Sequence, residues 1–419
     1  MRLSWLIVTI LSLGTLVSDG ETLEADLSFL TDLPAAWEVT PETLEEAFPK
    51  GGWNRNPYFS WLTTDRTRAH FFRHKAPDLE IDLTILGGEI SIEEAIVDFA
   101  DGKFLGASYS IWNRADSRGE FDVETYDQNY RIAGTALSKA LEVRPFPRKP
   151  NSAQGLLTTG WTWISAQGMA VLESNEEAAP DYRGGRTFEF LRLRMMRRDA
   201  RGALAASMQS RSGAAVKLSD LPRNVTTDKE GNTYIANIPM VDQGPKGYCV
   251  VASTQRLFEY YGIPADQHQI AQIAESNAEQ GTNSAAMAQC LQKIDYRFKT
   301  RFKALGVLST RGSLHEMDKN GRLTEKTMDE RDFVKTVQKS IDDGIPLLWA
   351  LTLGRYPEEP PISPQTSGGH MRMIIGYNDT SGKIVFSDSW GAGHEKKFMD
   401  ASHGFQATHG LFSMTPTVR

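Results

Sequence analysis

Cys249 and Gln243 have types and spacing that suit nucleophilic attack on a carbonyl carbon. Cys249 opens an apolar helical pattern directly after the glycine-rich segment 242–247, so its thiol lies in the first turn of a predicted helix. The exposed backbone N–H groups and the positive end of the helix dipole favour a thiolate there, which is the reactive form. The Cys249 backbone N–H can donate to a developing oxyanion, and the side-chain amide of Gln243 is a candidate second donor. The pattern therefore predicts a cysteine nucleophile with an oxyanion hole.

A histidine and an aspartate further along the chain can complete such a site. His370 follows two glycines and begins the apolar strand pattern Met371–Tyr377, and glycines permit the close approach of another chain. Asp388 follows a second strand pattern, Lys383–Ser387, at a separation that suits neighbouring strands of a hairpin. An imidazole beside the thiol takes its proton, and a carboxylate on the far ring nitrogen fixes the tautomer. Trp390, two positions after Asp388, can shield that hydrogen bond from water.

The order and local sequence of these residues resemble the papain superfamily. Its members carry Gln, Cys, His and Asn in this order, with Asn-Ser-Trp-Gly as the final motif. Here Asp388 replaces the asparagine, and Val250 stands where a tryptophan usually follows the cysteine. Both departures resemble the bacteriocin-processing branch, which uses Cys, His and Asp, and the segments 279–283 and 343–347 are similar to that branch as well. The resemblance covers residues 236–415 and implies a fold of helices followed by an antiparallel sheet.

The resemblance implies hydrolysis of peptide bonds in a peptide or protein substrate. Cys249 is expected to attack the carbonyl carbon, and His370 to protonate the leaving amine. Asp388 is expected to orient His370, and Gln243 to bind the oxyanion together with the Cys249 N–H group. No cofactor and no metal is expected. The best-known members of the branch fuse the peptidase to a membrane transporter that this sequence lacks, so their cleavage of double-glycine leaders is not carried over.

Two other functions stay open on the sequence. Transglutaminase-like acyl transfer to an amine uses Cys, His and Asp in the same chain order, although the position of Gln243 and the turn at Asp388 favour the peptidase. Alternatively, the peptidase domain is a catalytically dead scaffold, and the N-terminal domain is a binding or inhibitory module. That domain can also be a removable pro-region, a hypothesis that rests on the arginines within residues 197–211.

Length and composition predict two domains. The chain has 419 residues, more than one hydrophobic core usually holds, and its 40% hydrophobic and 24% charged content is ordinary for globular protein. A change to Ala, Ser, Gly and Arg after residue 198 predicts a linker over residues 199–235. We expect a separate α+β N-terminal domain over residues 21–198 and a papain-like α+β domain over residues 236–419.

Hydrophobic periodicity predicts the main helices and strands. In the N-terminal half, Ser91 with Glu94 resembles a capping box and predicts a short helix that ends at Gly102. Helical spacing follows from Tyr126 to Leu141, and a hairpin surrounds Gln167-Gly168. In the C-terminal half, helices are predicted over residues 248–261, 266–277, 284–293 and 330–342, and strands over residues 346–353, 370–377 and 383–387. The predicted order there is helices first and sheet after.

The first twenty residues predict export. Arg2 precedes an apolar run from Trp5 to Val17, and small residues follow at 18–20, as in a secretory signal cleaved near residue 20. The run is short for a stable membrane span. The expected location is periplasmic or extracellular. A net charge of −7 and a pI near 5.7 argue against a nucleic-acid partner, which would require a basic face.

The remaining cysteine and the histidines carry weaker signals. Only two cysteines occur, which excludes a disulfide-dense scaffold and a zinc site of several thiolates, and Cys290 is expected to be a free thiol in a helix core. His70 and His74 would suit a metal pair on a helix, but their flanking pattern is extended. Three histidines near the C-terminus have no supporting carboxylate or thiol spacing, and these are His394, His403 and His409. No metal site is predicted.

Overall fold

Most of the chain is described by a computed structural model. It describes residues 21–51, 56–76, 79–113, 116, 122–148, 158–176, 188–200, 214–244, 248–263, 270, 288, 291–292, 295–310, 312–318, 322–361 and 367–418. Helices and large antiparallel sheets both occur in these residues, which confirms the predicted α+β class. Cys290, the predicted signal at residues 1–20, the predicted helix 266–277 apart from residue 270, and most of the predicted helix 284–293 lie outside the described residues.

The N-terminal half folds into two sheets with helices packed beside them. Its strands are β1 Glu21–Asp26, β2 Phe59–Trp61, β3 Arg68–Phe72, β4 His74–Ala76, β5 Leu79–Ile85, β6 Ile90–Ile92, β7 Glu94–Ala100, β8 Lys103–Asn113, β9 Phe146–Arg148, β10 Thr159–Ile164, β11 Met169–Glu176 and β12 Phe188–Met196. Its α-helices are α1 Pro41–Ala47 and α2 Val123–Leu141, and its 3-10 helices are Ser28–Leu30 and Ala35–Glu38. Among the described residues the larger sheet is antiparallel in the order β2-β3-β7-β8-β12-β11-β10-β9. The smaller sheet joins β1, β4, β5 and β6, with β1 and β5 parallel.

Helix α2 forms where the sequence predicts it. The Asp122 side chain caps its first turn by accepting from the backbone N–H groups of Glu124 and Thr125. Its apolar residues recur at helical spacing and are buried, so one face of the helix packs on the sheet. The Trp163 indole N–H of β10 donates to Ser138 Oγ of the helix at 3.0 Å and fixes the two elements together.

The short helix predicted from Ser91 to Gly102 is wrong. These residues form β6 and β7, and β7 pairs with β3 on one side and β8 on the other. Ala95 and Val97 are fully buried at alternate positions, a period-two pattern that belongs to a strand. The Ser-x-x-Glu signature is local and weak, so the two rows of strand pairing outweigh it. Gly102 does end the element, but it does so in the β7–β8 turn, with φ at 71°.

The C-terminal half forms one antiparallel sheet of ten strands within the described residues. Its strands are β13 Val225–Thr227, β14 Thr233–Ile235, β15 Thr300–Leu308, β16 Leu314–Met317, β17 Leu323–Thr327, β18 Leu347–Leu353, β19 Gly368–Asn378, β20 Lys383–Ser387, β21 Lys397–Asp400 and β22 Thr408–Pro416. Its α-helices are α3 Cys249–Tyr260, α4 Glu330–Asp342 and α5 Ala401–Ala407, and its 3-10 helices are Leu218–Asn224 and Asp295–Phe298. The main path is β13-β14-β19-β18-β22-β15-β16-β17, and β20 joins β19 to β21.

Two features of this half differ from the sequence patterns. Strands β15, β16 and β17 precede α4, so the predicted order of helices first and sheet after holds only in part. The described end of the predicted linker contains a 3-10 helix and strands β13 and β14. Its residues Ala214, Leu221 and Ile235 lie in the same hydrophobic core as α3 and β19. The domain boundaries themselves stay a prediction.

Each half has its own large hydrophobic core, and polar contacts join the halves beside α3. Arg68 of β3 donates to Asp98 of β7 at 2.6 Å and to Glu259 of α3 at 3.0 Å. The backbone N–H of Ala392 donates to the Trp61 carbonyl oxygen at 3.3 Å. Strand β3 therefore lies against the helix that begins at Cys249, and β2 lies against the loop that follows Asp388. No helix in the described part of the chain has the length and apolar character needed to cross a bilayer.

Candidate active site

Cys249 is the first residue of α3, as predicted, and its free thiol is only partly exposed. Two contacts fix the helix behind it. Ser253 Oγ donates to the Met371 carbonyl oxygen of β19 at 3.1 Å. The buried Arg256 guanidinium donates to the Pro239 carbonyl oxygen at 2.7 Å and to the Asp388 carbonyl oxygen at 2.9 Å. The helix start is thereby held against the strand and the turn that carry the other predicted site residues.

His370 and Asp388 form a buried hydrogen-bonded pair. His370 lies near the start of β19, and Asp388 directly follows β20, which pairs with β19. His370 Nε2 and Asp388 Oδ1 are 2.6 Å apart, and the two side chains are 1% and 0% exposed. The Trp390 ring stacks on the imidazole, with centroids 4.7 Å apart and planes 26° apart. The hairpin spacing and the shielding tryptophan expected from the sequence are both present.

The side of the His370 ring that is not held by Asp388 interacts with the Cys249 thiol. Burial alone raises the pKa of the Cys249 thiol, but hydrogen bonding and positive charge from His370 outweigh it, and the net pKa lies below the ordinary value. The backbone N–H groups of Met371 and Val250 lower that pKa further. Nδ1 of His370 is buried and makes no hydrogen bond of full geometry. It is nevertheless near enough to Cys249 for each group to shift the pKa of the other.

The charges of the pair reinforce each other. Burial alone lowers the pKa of His370, but the Asp388 charge and hydrogen bond raise it to about 9, with a further contribution from Cys249. Burial alone raises the pKa of Asp388, but the His370 charge and hydrogen bond, followed by the Arg372 charge, lower it to about 2. At neutral pH the aspartate is ionised and the imidazole is protonated. This charge state favours a thiolate at Cys249.

Gln243 is joined to the turn that follows Asp388. Its backbone N–H donates to the Ser389 carbonyl oxygen at 3.0 Å, and its side-chain Oε1 accepts from Ser389 Oγ at 2.9 Å. Because Ser389 occupies the amide oxygen, the side chain is oriented with Nε2 as its donor group. The structure therefore brings Cys249, His370 and Asp388 together and places Gln243 against Ser389, the residue that follows Asp388.

Three charged side chains that the sequence reasoning missed lie behind this site. Arg372 and Lys397 are fully buried cations, and Glu358 is a buried carboxylate between them. Arg372 also donates from Nε to Asp388 Oδ2 at 2.7 Å. A signal for Arg372 was present, because it lies two positions after His370 in a strand and such residues share one face. Glu358 comes from the segment between β18 and β19, for which no pattern predicts a contact.

The other histidines lie elsewhere or serve packing. His70 contacts Glu94 at 3.3 Å, while the His74 side chain is outside the described residues. His394 lies at the edge of the Trp390 ring, and His403 and His409 contact Tyr356 and Thr352. Over the residues that the structure describes, no group of His, Cys, Asp and Glu side chains is arranged to hold a metal.

A comparison with protein families finds a match in the C-terminal half. Residues 235–410 match the Peptidase_C39 like family. No curated protein is similar enough to this chain to count as a match. A solved structure of xylellain, a cysteine protease from Xylella fastidiosa, is 14% identical, and the alignment covers 50% of this chain and 93% of that chain. Its TM-score of 0.29 is too low to indicate a shared fold. The family match covers residues 235–410, so this part of the chain is similar to Peptidase_C39-like domains and supports a cysteine-type peptidase there.

Proposed function

We propose that this domain hydrolyses peptide bonds through Cys249, His370 and Asp388, with Gln243 as an oxyanion donor. The observation that carries the proposal is the buried imidazole with Asp388 on Nε2, at 2.6 Å, and the Cys249 thiol on its other side. A nucleophile, a base and a residue that orients the base are the three groups that covalent catalysis of acyl transfer requires. The substrate class is a peptide or protein, and no cofactor takes part.

The first half of the reaction forms an acyl-enzyme. The Cys249 thiolate attacks the carbonyl carbon, the C=O π electrons move to oxygen, and the oxyanion accepts from the Cys249 backbone N–H and from Gln243 Nε2. When the tetrahedral intermediate collapses, the C–N bond breaks and His370 Nδ1 gives its proton to the leaving amine. A thioester to Cys249 and a neutral imidazole remain.

The second half releases the acid. His370 Nδ1 now accepts a proton from water, whose oxygen attacks the thioester carbon through a second oxyanion. Collapse breaks the C–S bond and returns the thiolate beside the imidazolium. Asp388 stays ionised throughout, because its role is to hold Nε2–H and stabilise the positive ring.

The acyl acceptor separates hydrolysis from transglutaminase-like transfer. We expect peptide products with free carboxyl termini in water, and we expect them to remain the main products when a primary amine is added at millimolar concentration. Mass spectrometry of a digested peptide mixture, with and without the amine, measures both products. If products form only when the amine is present, and they are amides of that amine, the protein is an acyltransferase and not a hydrolase.

We also propose that the peptidase is exported, on the basis of the charged start, apolar run and small residues of segment 1–20. N-terminal sequencing of the protein recovered from outside the cytoplasm should give a start near Glu21. Recovery only from the cytoplasm, with Met1 or residue 2 as its start, would contradict export.

A further inference from the structure

Arg372 occupies the central position of a buried row of alternating charges that ends at the active site. Lys397 Nζ donates to Glu358 Oε1 at 2.5 Å, and Arg372 donates to both Glu358 oxygens, from Nη1 at 2.6 Å and from Nη2 at 3.1 Å. The Nε edge of Arg372 reaches Asp388 Oδ2 at 2.7 Å. All three guanidinium nitrogens therefore donate, each to a carboxylate.

The two oxygens of Asp388 have different partners. Oδ1 accepts from His370 Nε2 at 2.6 Å and from the Ser389 backbone N–H at 3.0 Å, whereas Oδ2 accepts from Arg372. A carboxylate held at both oxygens cannot rotate about its Cβ–Cγ bond without losing a charged contact. The orientation of the His370 ring thus depends on Arg372, although Arg372 is two residues away on the same strand.

The surroundings of Arg372 keep its side chain away from solvent. Its side chain is 0% exposed, so it does not touch a substrate. Its guanidinium carbon lies 4.6 Å from the centre of the Phe386 ring and 5.7 Å from that of Trp390, the ring that stacks on His370. The planar fork can meet two carboxylates and two rings at once, which an ammonium cannot do.

We propose that Arg372 is the positioning residue of this site, which holds Asp388 at Oδ2 and through it sets the orientation of His370. The inference rests on the proposed function of Cys249, His370 and Asp388. Glu358 accepts from the two Nη groups of Arg372, and Lys397 donates to Glu358, so the charges of the network alternate in sign. Because Arg372 acts through Asp388 and never meets the substrate, its loss should lower kcat and leave KM nearly unchanged.

Other charged groups face the same carboxylate and must be weighed in any pH dependence. They are Arg256 of α3 and His394 of the loop after Asp388, and the charges of Glu395 and Lys397 act on these two groups in turn. Arg256 donates to the Asp388 carbonyl oxygen instead of its side chain. The Asp388 carboxylate is in direct contact with two cationic side chains, His370 and Arg372. Both lower the pKa of Asp388, and the effect of His370 is the larger. These groups remain in place when Arg372 alone is changed.

The test compares Arg372→Met, Arg372→Lys and Lys397→Met. Methionine keeps the contact with Phe386 while removing the charge and all three donors. We expect Arg372→Met to lower kcat on the order of 10- to 100-fold, a loss typical of removing a residue that orients a reactive group, with KM within about twofold. Without the guanidinium charge the thiolate is less stable, so the acid limb of the kcat/KM profile should move to higher pH. Arg372→Lys should recover part of kcat.

Lys397→Met is the matched control, because it removes a buried cation from the same network without touching Asp388. It should lower thermal stability as Arg372→Met does but keep the wild-type acid limb and at least half of kcat per folded molecule. An unshifted acid limb in Arg372→Met, or an equal shift in Lys397→Met, would overturn the inference. If Arg372→Met does not fold, kcat of Arg372→Lys decides, because lysine keeps the charge but cannot hold Asp388 and Glu358 together, and a kcat equal to the wild-type value would overturn the inference. These outcomes are distinct from failure of the proposed function, in which the wild-type protein with Cys249 alkylated would still hydrolyse peptides.

Discussion

Cys249→Ala is expected to abolish peptide hydrolysis, lowering kcat by on the order of 10⁵- to 10⁶-fold. The thiol is the atom that forms the acyl-enzyme, and no other described side chain beside His370 can replace it as a nucleophile. Alanine fits the space, because Cys249 begins α3 and its helix is held by Ser253 and Arg256 at positions that the change does not touch. The loss should therefore appear in turnover with the Tm almost unchanged. Peptide cleavage followed by mass spectrometry, with a Tm for each protein, measures both.

The matched control is Cys290→Ala, which removes the other cysteine of the chain. The sequence predicts a core position for Cys290, so this variant is expected to lose some stability and to keep its specific activity. Cleavage that survives Cys249→Ala would remove Cys249 from the mechanism, and cleavage that is lost in Cys290→Ala with the fold intact would contradict the core role predicted for Cys290.

His370→Ala has the second largest expected effect, a fall in kcat/KM of on the order of 10⁴- to 10⁶-fold. The imidazole supplies the proton to the leaving amine and accepts one from water, and its charge lowers the pKa of the Cys249 thiol. Its removal also leaves the Asp388 carboxylate buried without its shortest partner, although Arg372 remains. We expect a protein that is folded, catalytically inactive, and slow to react with thiol reagents at neutral pH.

His409→Ala is the control for that variant. His409 lies in the same half of the chain and contacts Thr352 Oγ1 through Nε2 at 2.6 Å, so it tests the loss of a hydrogen-bonded histidine outside the site. Its activity should stay within about twofold of the wild-type value, as expected for surface changes away from the chemistry. More than a tenth of wild-type kcat/KM in His370→Ala would show that another group is the base.

The sequence predicts the residues of the site more completely than it predicts the strands of the sheet around them. Helix α3 and strands β19 and β20 carry strong apolar periodicity, and the helix 330–342 and the strand Lys383–Ser387 have the predicted bounds. Cys249, His370 and Asp388 were found because each follows a local turn or glycine signal at the end of a regular element. Their convergence depends on the pairing of β19 with β20 and on the contact between α3 and β19, and both are long-range.

The strands that were missed have weak local signals. Strand β17 is exposed or half-exposed along its length, and most of β16 is half-exposed, so neither shows an alternation of apolar and polar residues. They exist because β15 supplies an edge to pair with. The opposite error arose at β7, where a local capping signature suggested a helix and pairing on both sides imposed a strand.

The buried charges were missed for a different reason. Arg372 lies inside an apolar run and looks like an isolated charge until its partners are known. Glu358 lies in a loop and Lys397 in strand β21. Neither is near Arg372 in the sequence, so no local pattern links them to it. A charged residue within a buried strand is costly unless it is paired, so its presence alone was the available signal of a functional network.

The rate of Cys249 alkylation as a function of pH tests the central claim most directly. Iodoacetamide labelling of the native protein, quantified on the peptide that contains Cys249, reports the thiolate without requiring a substrate. The thiolate forms as the pH rises through the lowered pKa of Cys249, and the adjacent imidazolium loses its proton only near the His370 pKa of about 9. We predict rapid labelling already at neutral pH, a second change in rate near pH 9, and loss of the neutral-pH labelling in His370→Ala. A single rise near the ordinary thiol pKa of about 8.5, identical in His370→Ala, would contradict the account.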